Sequence, residues 1–168
     1  MSYPYTVYLA PEQIKEIKST QSLPLGTRGV TEDGRVFRYA QAGATALVPH
    51  RLVINAAESP WSTATDVVFY ESYAAGSTRV KIGGQATAAV GLGIVANDYK
   101  DGWLFCNCTD VTWNQAVRIH SHAALASSTA LNSANYINLY PPGLNKLVDT
   151  DTFLTVKLIQ NPYKKVLV

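Results

Sequence analysis

Two pairs of metal-ligating residue types stand out in this chain of 168 residues, Cys106-x-Cys108 and His120-x-His122. In extended backbone, residues two apart share a face, so each pair offers two ligands on one side of a strand. Together they would make a Cys2His2 set for a tetrahedral zinc ion. The expected register argues the other way. If the two runs form a hairpin closing near Asp110 to Asn114, Cys108 lies across from about Ala116 and both histidines fall beyond the cysteines' reach. Cys-x-Cys is also tighter than the two-residue gap of zinc knuckles. The expectation is two small buried cysteines, two surface or interface histidines, and no metal or other cofactor. Asn97, Asp98 and Asp101 crowd oxygen ligands of the calcium type into one loop. Lys100 lies among them and the bidentate Glu of an EF-hand is absent, which makes the loop a turn.

Catalytic signatures are missing: there is no Gly-x-Ser-x-Gly elbow, no phosphate loop, no Gly-x-Gly-x-x-Gly opening a helix and no His-Glu-x-x-His. Twelve acidic residues leave a carboxylate pair across the fold open, as in glycosidases. The expectation is nevertheless a protein that is not an enzyme. Arg28, Arg35 and Arg38 bracket one hairpin, where they either meet acidic groups of a partner or solvate the turn. Trp61, Trp103 and Trp113, where exposed, are rings that would stack on sugars.

The elements that must position these residues are short strands. Leu25 to Val30 is apolar and small, Thr31-Glu32-Asp33-Gly34 supplies a turn, and Arg35 to Ala40 alternates. Val36 and Arg38 share one face, and Phe37 and Tyr39 the other, which is a hairpin signal. Gly93 to Asn97, the turn Asp98 to Gly102, and Trp103 to Phe105 repeat the idea. Further strands are expected at Tyr3 to Leu9, Leu52 to Ile54, Asp66 to Ser72, Thr78 to Ile82 and Ala86 to Val90. Others follow at Trp103 to Cys108, Gln115 to His122, Tyr136 to Tyr140 and Phe153 to Ile159. Pro11 at a first helical position predicts one short helix, Ala10 to Lys18, with Ile14 and Ile17 on one face. The class is all-β, a single-domain sandwich or barrel of many short antiparallel strands. It is preceded by an arm and helix over residues 1–24, with the β-rich part at 25–168.

Composition narrows the partners. Hydrophobic residues make up 47%, enough for a sizeable core, while charged residues are only 15%, against ~25% in ordinary domains. A surface rich in Ala, Thr, Ser, Asn and Tyr suits a chain covered by neighbours. Net charge is +2 and only Lys164-Lys165 are adjacent, so no electrostatic stripe for nucleic acid is suggested. No apolar run approaches the ~18 residues of a membrane helix, and a secretory leader is not expected at the Met1-Ser2-Tyr3-Pro4 start. The close cysteines fit a reducing cytoplasm.

The succession LGT-x-G (from Leu25), EDGR-x-FRYA, AGATALV, DYKDGWLF and VRIHSHAAL resembles small capsid decoration proteins of tailed bacteriophages, also called cement or stabilising proteins. The resemblance spans roughly Leu25 to Leu125. The segment Cys106 to Thr112 departs from it, lacking the glycine-rich turn of that pattern. The resemblance implies a virion protein on the capsid exterior, made in the host cytoplasm, with the major capsid protein and itself (as a homotrimer) for partners. Nucleic acid and membrane are not among the implied partners. The candidate contact residues are Tyr3, Tyr5, Tyr8, Arg28, Arg35, Arg38, Lys164 and Lys165. A tail or head-fibre component, or a carbohydrate-binding β-module, are the alternatives.

Overall fold

The computed structural model describes residues 6–45, 67–69, 71–84, 94–108, 114–124, 136–148 and 154–166. Tyr3, Tyr5, Trp61, Trp113 and the expected strands at 52–54 and 86–90 lie outside them. The fold is all-β, with nine strands in two sheets among the described residues. The chain divides into two compact units. One holds the residues up to Ala57 together with Asn161–Val168, and the other holds Glu58–Gln160.

In the first unit, β1 (Thr6–Leu9), β2 (Arg28–Thr31) and β3 (Val36–Arg38) form a three-stranded sheet in that order. β2 and β3 are the expected hairpin, paired Arg28 to Arg38 and Val30 to Val36. Its turn is fixed by side chains. Thr31 Oγ1 donates to Asp33 Oδ1, Arg35 Nε donates to Asp33 Oδ2 at 2.6 Å, and Gly34 takes φ 82°. The Thr31 hydroxyl, and then the bonds and charge of Arg35, hold the Asp33 carboxyl below its ordinary value. β1 adds to β2 in parallel, Thr6 beside Arg28 and Leu9 beside Thr31. Residues near the C-terminus complete this unit. Val166 N–H donates to Gln41 O at 3.0 Å, Gln41 N–H to Tyr163 O at 2.8 Å, and Asn161 Nδ2 to Leu25 O at 3.1 Å.

The expected helix over Ala10 to Lys18 is a single 3-10 stretch, Pro11–Lys15. It opens with the Gln13 side chain accepting the Ala10 N–H at 2.9 Å, and Glu16 is already extended at ψ 124°. None of its residues is buried, and Ile17 is 96% exposed. Short helices need an apolar face to dock, and two isoleucines supply too little.

In the second unit six antiparallel strands form one sheet: β4 (Val67–Phe69), β5 (Arg79–Gly84), β6 (Trp103–Cys108), β7 (Asn114–His122), β8 (Tyr136–Leu139) and β9 (Leu154–Ile159). Their order is β4-β5-β8-β7-β6-β9. The two outermost strands, β4 and β9, also approach each other, so the sheet curls into a half-barrel. Alternate residues line its inside: Val80 and Ile82, Leu104 and Cys106, Val117 and Ile119, Ile137 and Leu139, Val156 and Leu158. Tyr99, Leu144 and Val148 from connecting segments complete the core.

The second hairpin of the sequence reading is not formed. β6 has β7 on one side and β9 on the other, so no edge is left for the stretch before it. Asn97 belongs to the turn instead, at φ 61°, and the turn hooks onto β7. Asn97 N–H donates to His122 O at 3.0 Å, and Asp101 N–H to Ile119 O at 2.9 Å.

Candidate functional site

Strand alternation in the three-stranded sheet sorts its side chains into two faces. Val7, Leu9, Gly29, Thr31 and Phe37 point one way, and Thr31 and Gly29 are buried there. The opposite face is built in two rows across the strands. Tyr8, Val30 and Val36 form one row, with Tyr8 86% and Val36 50% exposed. Thr6, Arg28 and Arg38 form the other. Two guanidinium groups directly opposite one another on adjacent strands repel, a cost of roughly 0.2–1 kcal/mol. Arg38 Nη1 donates to Gly26 O at 3.1 Å. Among the described residues the ion pairs are Lys18 with Glu16 and Arg35 with Asp33, and none of the described carboxylates pairs with Arg28 or Arg38. The face thus sets an apolar row, exposed at Tyr8 and Val36 and half-buried at Val30, beside a cationic row.

Of the expected contact residues, the structure brings Tyr8, Arg28 and Arg38 together on this face. Arg35 sits apart at the turn tip, committed to Asp33 and 5.9 Å from the Phe37 ring centre. Lys164 is largely buried and Lys165 half-buried in the turn closed by Lys164 N–H on Asn161 O. Val30 and Val36 were not singled out by sequence reasoning, although their spacing from Arg28 and Arg38 already assigns them to the same face.

Among the described residues no group of His, Cys, Asp or Glu side chains comes together that could hold a metal ion. Cys106 faces Gln115, and Phe105 faces Ala116, where sequence reasoning set Cys108 against about Ala116. β6 begins at Trp103 opposite Arg118, so both histidines lie past its start. Cys106 is fully buried in the core, and burial pushes its thiol up to about 12. His122 is buried too, against the expectation of a surface or interface group. Its Nε2 accepts the Tyr99 N–H at 2.9 Å, which leaves Nδ1–H to donate to Ala123 O at 2.7 Å. His120 is the extra residue of a β-bulge, exposed, with its ring edge-on to Tyr140 at 4.8 Å. The calcium-type oxygens are likewise engaged by protein donors. Asn97 Oδ1 accepts the His122 N–H at 3.0 Å, and Asp101 Oδ1 accepts the Tyr140 hydroxyl at 2.8 Å.

The outer face of the half-barrel holds a cluster that sequence reasoning missed. Arg118 lies 5.7 Å from the Trp103 ring centre and 5.9 Å from that of Tyr140, and its Nη2 donates to the buried Asp101 carbonyl at 3.0 Å. Arg79 lies over Tyr136 at 3.8 Å. The outward positions of the alternation were its signal, and only the register shows that they meet. Across both sheets Arg28, Arg38, Arg79, Lys81, Arg118 and Lys157 lie on strands, whereas no described strand carries Asp or Glu. No family model, curated protein or solved structure matches the chain.

Proposed function

We propose that this chain is a structural protein of a tailed-phage head, bound to the outside of the capsid shell, where it cements contacts between major capsid protein subunits. Two things support this reading: the sequence resemblance, and the row of exposed Tyr8, half-buried Val30 and exposed Val36 beside Arg28 and Arg38, which pair with no carboxylate among the described residues. The protein works by binding, without catalysis or cofactor. Tyr8 and the two valines contribute apolar contact, and the two arginines meet carboxylates at the seams between subunits. Many copies on one lattice add through avidity, so modest affinity per contact resists the outward pressure of packed DNA. A homotrimer at three-fold positions matches the closed symmetry of such shells.

The test is co-sedimentation with phage heads that lack the protein. Wild type should pellet with them, and Arg38→Glu should weaken binding by roughly tenfold or more. Wild type that stays in the supernatant ends the reading. The Trp103, Arg118 and Tyr140 cluster favours a second reading, a carbohydrate-binding module. Its sign would be glycan-array binding that disappears in Trp103→Ala.

A further inference from the structure

β1 is held by little, and what holds it is specific. It packs chiefly on β2 and on the short 3-10 stretch that follows it. Four register pairs tie it to β2, and Leu9 drops into the notch left by Gly29, where a Cβ would overlap Leu9 Cδ1. The strand therefore carries a knob, and β2 carries a hole that only glycine leaves open. The chain that joins them is loose. Residues 15–20 are exposed throughout. Their polar contacts among the described residues are local, Glu16 N–H to Gln13 O and Lys18 to Glu16. Ile17 is 96% exposed, an apolar side chain that a single copy leaves in water. Fully extended, those six residues reach about 20 Å.

We propose that β1 is exchanged between copies of this chain, each Leu9 seating in the Gly29 notch of another copy. Exchange keeps every β1–β2 hydrogen bond and the knob-in-hole contact, so its balance is set by the hinge and by the surface that the second copy covers. A parallel strand needs a long return before the next strand begins. Pro11 and Pro24 lie near its two ends, and the stretch from one to the other contains no glycine. The turn of this return, where Thr27 N–H donates to Pro24 O at 3.1 Å, lies next to β2 and need not move on opening, and the opened stretch carries Ile17 into the space between copies. Arms passed in one direction close into a ring. The face described above is then composite, with Tyr8 of one copy beside Val30 and Arg28 of the next. This inference stands apart from the capsid reading, since it requires only the chain itself.

The test uses two variants in a Cys106→Ala, Cys108→Ser background, one with Tyr8→Cys and the other with Val30→Cys. These positions are register partners, close enough for a disulfide. The two proteins are mixed, oxidised and run on a non-reducing gel, and the unaltered chain is weighed by light scattering across a range of concentrations. Exchange predicts an oligomer by light scattering and a covalent heterodimer in the mixture, absent when either protein is oxidised alone. A chain that stays at monomer mass overturns the proposal. So does an oligomer whose mixed variants never cross-link, because it is held together elsewhere. Heads that fail to bind the protein would end the capsid reading and leave this result untouched.

Discussion

The Cys106 thiol sits between Leu104 and the β7 and β9 partners Gln115 and Val156, with no exposed surface. Burial raises its ionisation from 9.0 to about 12, so the folded chain keeps the proton that an unfolded chain would release. The stabilisation is complete below pH 9 and is lost as pH climbs from 9 toward 12. In a Cys108→Ser variant, a disulfide thiol reagent at pH 8 should release no colour until urea unfolds the protein, and urea midpoints should fall between pH 8 and pH 10. Prompt native labelling would mean that the core opens readily. A second site is set by backbone. Gly143 has φ 82°, and a Cβ there would overlap the Ser77 carbonyl that accepts the Leu144 N–H. Gly143→Ala is expected to cost at least ~1–3 kcal/mol in urea unfolding. The burial of Cys106 was expected from the sequence, but its register with β7 was not: Phe105, where Cys108 was expected, lies across from Ala116.

At the scale of elements, alternation made the strands legible and nothing local could give their partners. The Asp-Gly turn announced β2 and β3 because a two-strand hairpin is specified by its own residues. β6 beside β7 is likewise the hairpin of neighbouring runs, but β5 beside β8 and β9 beside β6 are pairings of distant segments, and apolar positions inside a strand do not say which neighbour they meet. The helix was misread for a related reason: Pro11 and Glu12 start a helix wherever they stand, but continuing it takes a surface to pack on. β1 gives a prediction at this scale. Gly29→Ala fills the notch, so the arm should detach whether its own chain or another copy provides the hole. Trypsin should then cut at Lys15 and Lys18 many times faster than in wild type, with the half-barrel intact by near-ultraviolet circular dichroism. Unchanged cleavage would show that Leu9 does not depend on the notch.

At the scale of the whole molecule, every charged side chain on the described strands is a cation, and the described carboxylates lie off the strands. Surface attraction of this kind is screened within ~8 Å at physiological salt and ~3 Å at 1 M. Binding to heads should therefore weaken steadily as salt rises, and Arg28→Gln together with Arg38→Gln should flatten that dependence. A salt-independent complex would assign the affinity to Tyr8 and the valines alone. The division into two units has a consequence for how the chain is made. A ribosome delivers residues in order, so the half-barrel at 58–160 has all its strands before Asn161 emerges. The first unit contains residues that precede the half-barrel, yet the Leu25 carbonyl and the Gln41 backbone are bonded by Asn161, Tyr163 and Val166, which follow it. A segment translated before the half-barrel is thus completed after it, and until then it remains open to the same segment of a neighbouring nascent chain.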